Sequence, residues 1–176
     1  MTPTELEAQL RWLHKESFGW ALHCCGRDEP DAEDVLQTTY MKVLSGSARF
    51  EGRSAFKTWL FGVIRRTAQE HQRRARLRER RAERIAGEAA PLEAPQIERD
   101  IVRAESSRRL VEALELLSER QREVLHLVFY QDLTIEEAAG VMDVSLGSAR
   151  THYERGKARL RALLEEDKRE RPAAGR

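Results

Sequence analysis

The sequence predicts an all-α protein: two small helical domains joined by a flexible acidic linker, the C-terminal one a helix-turn-helix. Three observations lead there. Apolar residues recur at spacings of three and four in segment after segment, the mark of helices with one buried face. Over residues 87–100 that periodicity stops, in a run with two prolines and four acids against one arginine. Over residues 117–164 two capping signatures and a tight turn lead into a basic helix. The domains are set at 1–86 and 102–166, with the linker over 87–101 and a disordered tail over 167–176.

Composition narrows the class. A chain of 176 residues that is 40% apolar can build compact cores. No run approaches the roughly 20 apolar residues of a bilayer span, so no membrane insertion is expected. The opening MTPTELEAQLRWLHKE is charged and amphipathic rather than a signal core, which predicts a cytoplasmic protein. The adjacent Cys24 and Cys25 cannot make a disulfide framework and lack a complete ligand set, so they read as buried packing, slow to alkylate, with no metal or cofactor expected. A net charge of +1 conceals segregation: residues 65–84 hold nine bases against three acids, whereas residues 28–34 hold five acids and no base. A basic stripe and an acidic knob imply different partners.

Taken in order, Leu6, Leu10, Leu13, Phe18, Ala21, Leu22 and Cys25 mark one helix or two abutting ones, broken at Gly26. DAEDVLQTTYMKVL is a helix with acids in its first turn and an inward stripe of Val35, Leu36, Tyr40, Val43 and Leu44, leaving Asp34, Gln37, Thr38, Met41 and Lys42 outside. SGSARFEGRS reads as a loop presenting Phe50 beside Arg49 and Arg53, able to stack a base while cations meet phosphates. The next helix begins with Phe56, Trp59 and Phe61 and turns arginine-rich, the pairing a single-stranded nucleic-acid platform needs.

Past the linker, Leu110, Ala113, Leu114 and Leu117 line one helix, and Ser118 with Gln121 caps the next, packed by Val124, Leu125 and Val128. Thr134 with Glu137 opens a short helix whose Ala138 and Ala139 permit close approach. A turn at residues 142–144, with Asp143 in it, precedes a helix whose inner face is Ala149, Tyr153, Gly156, Leu160 and Leu163. Its other face shows Ser148, Arg150, Thr151, His152 and Arg155, as a major-groove helix would.

In combination these segments resemble the extracytoplasmic-function (ECF) sigma factors of the sigma-70 family, which direct bacterial RNA polymerase to promoters. DAEDVLQTTYMKV resembles the polymerase-binding helix of region 2, RFEGRSAFKTWLFGVIRRTAQEHQRR the melting and −10-reading segment, and residues 117–164 region 4, which reads the −35 element. The resemblance spans about residues 6–164. It implies that Asp31, Asp34, Gln37, Thr38 and Met41 face core RNA polymerase at the beta-prime clamp. It implies that Arg49, Phe50, Arg53, Ser54, Lys57, Trp59, Arg65, His71, Arg73 and Arg74 hold the opened −10 strand. Ser145, Ser148, Arg150, Thr151, His152, Arg155 and Lys157 would enter the −35 groove of promoter DNA, and the beta flap and an anti-sigma factor are further implied partners. Thr38 stands where the family usually has an acid, Arg66 where Asn is common, and Asp143 where a turn glycine is usual. Catalysis is expected of the polymerase and not of this chain. The alternative is a free-standing helix-turn-helix regulator binding DNA as a dimer, which leaves the acidic helix and the aromatic-basic segment without a role.

Overall fold

A computed structural model describes residues 2–86 and 103–170. The described residues are helices and short connections, without a strand, and they fall into two compact units. The expected linker of 87–101 and the last residues, 171–176, lie outside the described residues.

The first unit holds α1 (Pro3–Trp12), α2 (His14–Cys24), α3 (Glu29–Leu44) and α4 (Phe56–Ala86). Thr2 opens α1 with a capping box: its hydroxyl accepts from the Glu5 amide and the Glu5 carboxylate accepts from the Thr2 amide. The chain reverses through left-handed Gly26 and Arg27, and the Asp28 carboxylate then caps α3 by accepting from the Asp31 amide at 2.8 Å. The core gathers Leu13, Trp20, Val35, Leu36, Leu60, Phe61 and Ile64, all nearly inaccessible. Trp20 lies at its centre and donates its indole N–H to the Phe61 carbonyl at 3.0 Å, meeting the polar demand that burying a Trp creates. The Lys42 ammonium ties α3 to α4 by donating to the Glu70 carboxylate at 2.8 Å and to the Thr67 hydroxyl at 3.3 Å. Leu44, expected on the inward stripe, is 54% exposed. It sits one residue after buried Val43, about 100° around the helix, and so shares the outer side with Met41.

The second unit holds α5 (Arg103–Glu115), α6 (Glu119–Leu125), most of α7 (Ile135–Met142) and α8 (Leu146–Glu170). The Ser118 and Gln121 capping box opens α6, and Thr134 with Glu137 closes the same reciprocal pair at α7. A wider, π-helical turn (His126–Tyr130) follows α6, where the sequence reading had continuous α-helical packing through Val128. There the Gln131 amide reaches back five residues to the His126 carbonyl. Leu127 stays buried while Phe129 and Tyr130 are pushed to the surface, 63% and 75% exposed. Leu110, expected to line α5 inward, is 42% exposed, whereas Ala113 and Leu117 are buried.

Between α7 and α8 the turn closes on Asp143 in the left-handed conformation, with the Val144 amide donating to the Ala139 carbonyl at 3.1 Å. At Gly156, α8 lies close against α6: a Cβ there would lie 3.2 Å from Leu125 Cδ1 and 3.3 Å from Gln121 Cβ. The disordered tail was expected from residue 167, but α8 runs on to Glu170.

Candidate nucleic-acid interface

On α3 the residues spaced at three and four carry an exposed face. Asp34, Gln37, Thr38 and Met41 are all exposed, and Leu44 extends the same stripe. This is the polymerase-facing set expected from the sequence, except for Asp31. Asp31 is half-buried at the helix start, where its Oδ1 lies 3.8 Å from His71 Nδ1. Leu44 was missed because the inward-stripe assignment consumed it, although its three-residue step from Met41 places it outside.

The loop after α3 and the first turns of α4 surround an open cavity of about 240 Å³ lined by Lys42, Ser47, Arg49, Trp59, Val63, Arg66, Thr67 and Glu70. Phe50 packs edge-on to Phe56 with ring centres 5.3 Å apart, and both rings lie 5.4 Å from Trp59. The loop is thereby anchored by its own aromatic residue, and Trp59 is left half-exposed at the cavity wall. Arg49 is exposed, Arg53 pairs with Glu51 at 2.9 Å, and the Ser54 hydroxyl donates to the Ala55 carbonyl. The Lys57 ammonium sits 5.5 Å above the Phe61 ring.

Two expected −10 residues fall elsewhere. Arg65 is only 6% exposed, so its guanidinium is held inside the unit and not offered to a strand. Of the two neighbouring arginines it is Arg66 that lines the cavity, seven residues after Trp59 and therefore on the same side of α4. That spacing was the available signal. His71 turns toward Asp31 and α3, away from the cavity residues it was grouped with. Arg73 and Arg74 are exposed beside Glu70. The Glu70 carboxyl is held below its usual range chiefly by the hydrogen bond from Lys42, with both arginines adding to the effect. Cys25 is buried, and desolvation, reinforced by Asp31 and Asp28, pushes its thiol up to about 11, so little of it is the reactive thiolate at neutral pH. Among the described residues no three His, Cys, Asp or Glu side chains converge in a way that could hold a metal ion, and no helix is long and apolar enough to cross a membrane.

In the second unit, Ser145 caps α8, its hydroxyl accepting from the Ser148 amide at 3.1 Å and meeting the Ser148 hydroxyl at 2.9 Å. Both serines are exposed, yet these bonds already engage their hydroxyls. Thr151 donates its hydroxyl to the Gly147 carbonyl at 2.9 Å, which leaves its methyl as the free end. Arg150 and Arg155 are exposed, and His152 is half-buried. Lys157 lies 3.0 Å from Glu154 and 4.3 Å above the Tyr153 ring, so it is engaged within α8 more than the other members of the expected set. Ala149, at 0% exposure, anchors the opposite face.

Comparison with known proteins matches residues 10–78 to sigma-70 region 2 and residues 107–160 to sigma-70, region 4. The chain is 32% identical over 142 residues to the ECF RNA polymerase sigma factor SigX of Bacillus subtilis (strain 168), covering 79% of this chain and 73% of that one. It is 31% identical over 135 residues to the RNA polymerase sigma factor CarQ of Myxococcus xanthus, covering 77% and 75%. Among solved structures, the sigma factor RpoE of Bartonella quintana, solved in complex with the anti-sigma factor NepR, aligns with a TM-score of 0.70 and 25% identity over 92% of this chain and 97% of that one.

Proposed function

Because this chain belongs to the ECF group of the sigma-70 family and is an RNA polymerase sigma factor, we propose how its residues divide the work of initiation. Residues 1–86 form the unit that meets core polymerase and the −10 element, and residues 102–166 the unit that reads the −35 element. The exposed stripe of Asp34, Gln37, Thr38 and Met41 on α3, continued by Leu44, docks on the beta-prime clamp. The second unit also meets the beta flap. The protein acts in the cytoplasm, and the chemistry of RNA synthesis belongs to the polymerase.

The observation that carries this reading is the open cavity at Trp59. A base leaving the duplex stack costs a few kcal/mol. A half-exposed indole bordered by Arg49 and Arg66 offsets that cost by stacking on the ring face and drawing in the phosphate. Phe50 fixes the loop, and Arg53, Ser54, Lys57, Arg73 and Arg74 border the path of the strand. In the −35 groove, Arg150 and Arg155 supply bidentate donors for guanine edges, while the Thr151 methyl offers apolar contact to thymine. Ser145 and Ser148 position the helix start, with His152 and Lys157 at its flank. An anti-sigma factor that covers the α3 stripe is part of the same reading; a structurally similar sigma factor was solved in complex with an anti-sigma factor.

Run-off transcription with purified core polymerase and a panel of promoters tests it. Arg150→Ala should weaken binding to a −35 duplex by roughly 1–3 kcal/mol, while Trp59→Ala should leave that binding intact and impair opening of the −10 region. A protein that neither co-purifies with core nor stimulates initiation on any promoter sinks the reading.

A further inference from the structure

We infer that Lys42 is a positioning residue for strand opening: its ammonium and its backbone carbonyl set the two walls of the Trp59 cavity, and neither group contacts the strand. Its role rests on the cavity reading proposed above, to which it adds the residue that fixes the distance between the walls. Lys42 lies in the last turn of α3, next to Met41 of the exposed stripe, but its side chain leaves that face and crosses to α4. There the ammonium donates to the Glu70 carboxylate at 2.8 Å and to the Thr67 hydroxyl at 3.3 Å. Two of its three N–H donors are thereby engaged, one of them in a charge-assisted bond.

The same residue holds the opposite wall through its backbone. The last carbonyls of a helix have no partner within the helix. After α3 the chain turns back at Gly46, whose φ of 75° is open to glycine without strain. The turn brings the Ala48 amide to the Lys42 carbonyl at 2.8 Å, where the Ser45 hydroxyl also donates at 3.3 Å. Ala48 and Arg49 belong to the loop wall of the cavity, and Trp59, Arg66, Thr67 and Glu70 to the α4 wall. Lys42 is what α3 contributes to the lining, and it is bonded to both sides. Arg49 and Arg66, which must bracket one nucleotide, are exposed on opposite walls. Their separation is held by Lys42, so a strand entering the cavity meets a preorganised pair and loses less affinity to ordering. The competing role for a lysine here is a direct phosphate contact. Lys42 would then exchange one bonded anion for another, whereas Arg49 and Arg66 are exposed to meet the phosphate. The Glu70 carboxyl, held below its usual range chiefly by the hydrogen bond from Lys42, shows that the pairing is electrostatically effective.

The test uses the full chain reconstituted with core polymerase and a fluorescent single-stranded oligonucleotide carrying the −10 sequence of a promoter active in run-off transcription. Lys42→Met keeps the aliphatic stem and removes the ammonium. It should weaken strand binding by roughly three- to tenfold, the size expected of coupled neighbours, with core binding, −35 duplex binding and the circular dichroism spectrum as in the parent. Glu70→Gln should weaken strand binding as well, although it leaves one more net positive charge beside the cavity. The double variant should match Lys42→Met within about twofold, because both changes break the same bond, and Lys42→Arg, which keeps a cation able to reach Glu70, should match the parent within about twofold. Tighter binding by Glu70→Gln, with independent effects in the double variant, would show Lys42 meeting a phosphate directly and overturns the inference. Undiminished strand binding by Lys42→Met overturns it too, as does an equal loss of −35 duplex or core binding, which would make the residue a general structural support. A parent holoenzyme that fails to bind the strand overturns the cavity reading and this role with it, a result distinct from an active parent with indifferent variants.

Discussion

The two units each expose cations but secure the helices that carry them by different means. In the first unit, beside local caps at Thr2 and Asp28, several fixing bonds are long-range: Trp20 to the Phe61 carbonyl spans 41 residues, Lys42 to Glu70 spans 28, and the Gln72 amide donates to the Cys24 carbonyl across 48. In the second unit many of the fixing bonds span three residues, at Ser118, Thr134 and Ser145. The surface around Trp59 is therefore a product of tertiary packing, whereas α8 is specified largely by its own neighbours. Damage to a core residue should spread in one unit, and damage to a cap should stay local in the other.

The largest break in that comparison is Trp20→Ala. Removing a fully buried indole should cost about 3–5 kcal/mol and abolish opening of the −10 region, while binding to a −35 duplex persists. Urea unfolding followed by the two DNA assays measures this, and parallel loss of both activities would erase the contrast. A smaller effect is expected of Thr134→Ala. Loss of the α7 cap should remove about 1 kcal/mol from the second unit and weaken −35 binding, with transcription from a preformed bubble unaffected.

The smallest effect concerns Glu70. Its folded carboxyl lies below the ordinary 4.5, so its pairing contributes stability above that pH and loses it as pH falls through the lower folded value. Glu70→Gln should thus reduce stability at neutral pH and converge with the parent in acid. Because the carboxylate is 42% exposed, the difference should stay within roughly 0.2–1 kcal/mol. A gap that widens in acid would contradict the assigned sign.

The same contrast explains what could be read from the residues alone. The boxes at Ser118 and Thr134, the left-handed Asp143 and the buried alanines of α7 were legible because each is written within a few positions. Helix existence throughout followed from periodicity. The role of Trp20 was not legible, since its partner carbonyl lies on a distant helix. Arg65 and Arg66 are chemically alike, and only the direction of Trp59 tells which one faces the cavity. The π-helical turn left no mark either, because HLVFY satisfies an ordinary helix pattern and the extra width is a response to packing.

A helix that begins in the core and ends as an exposed basic rod also keeps phase. Along α4, the azimuth of each described side chain is fixed against that of Trp59. Inserting one residue after Glu70 would rotate all later arginines by about 100° relative to the cavity, whereas inserting seven would nearly restore their azimuth at a cost of about 10 Å in advance. The segment thus conserves an angle as well as a distance. Its length is free to change only in steps of whole helical repeats, a restriction that loops such as residues 45–55 do not share.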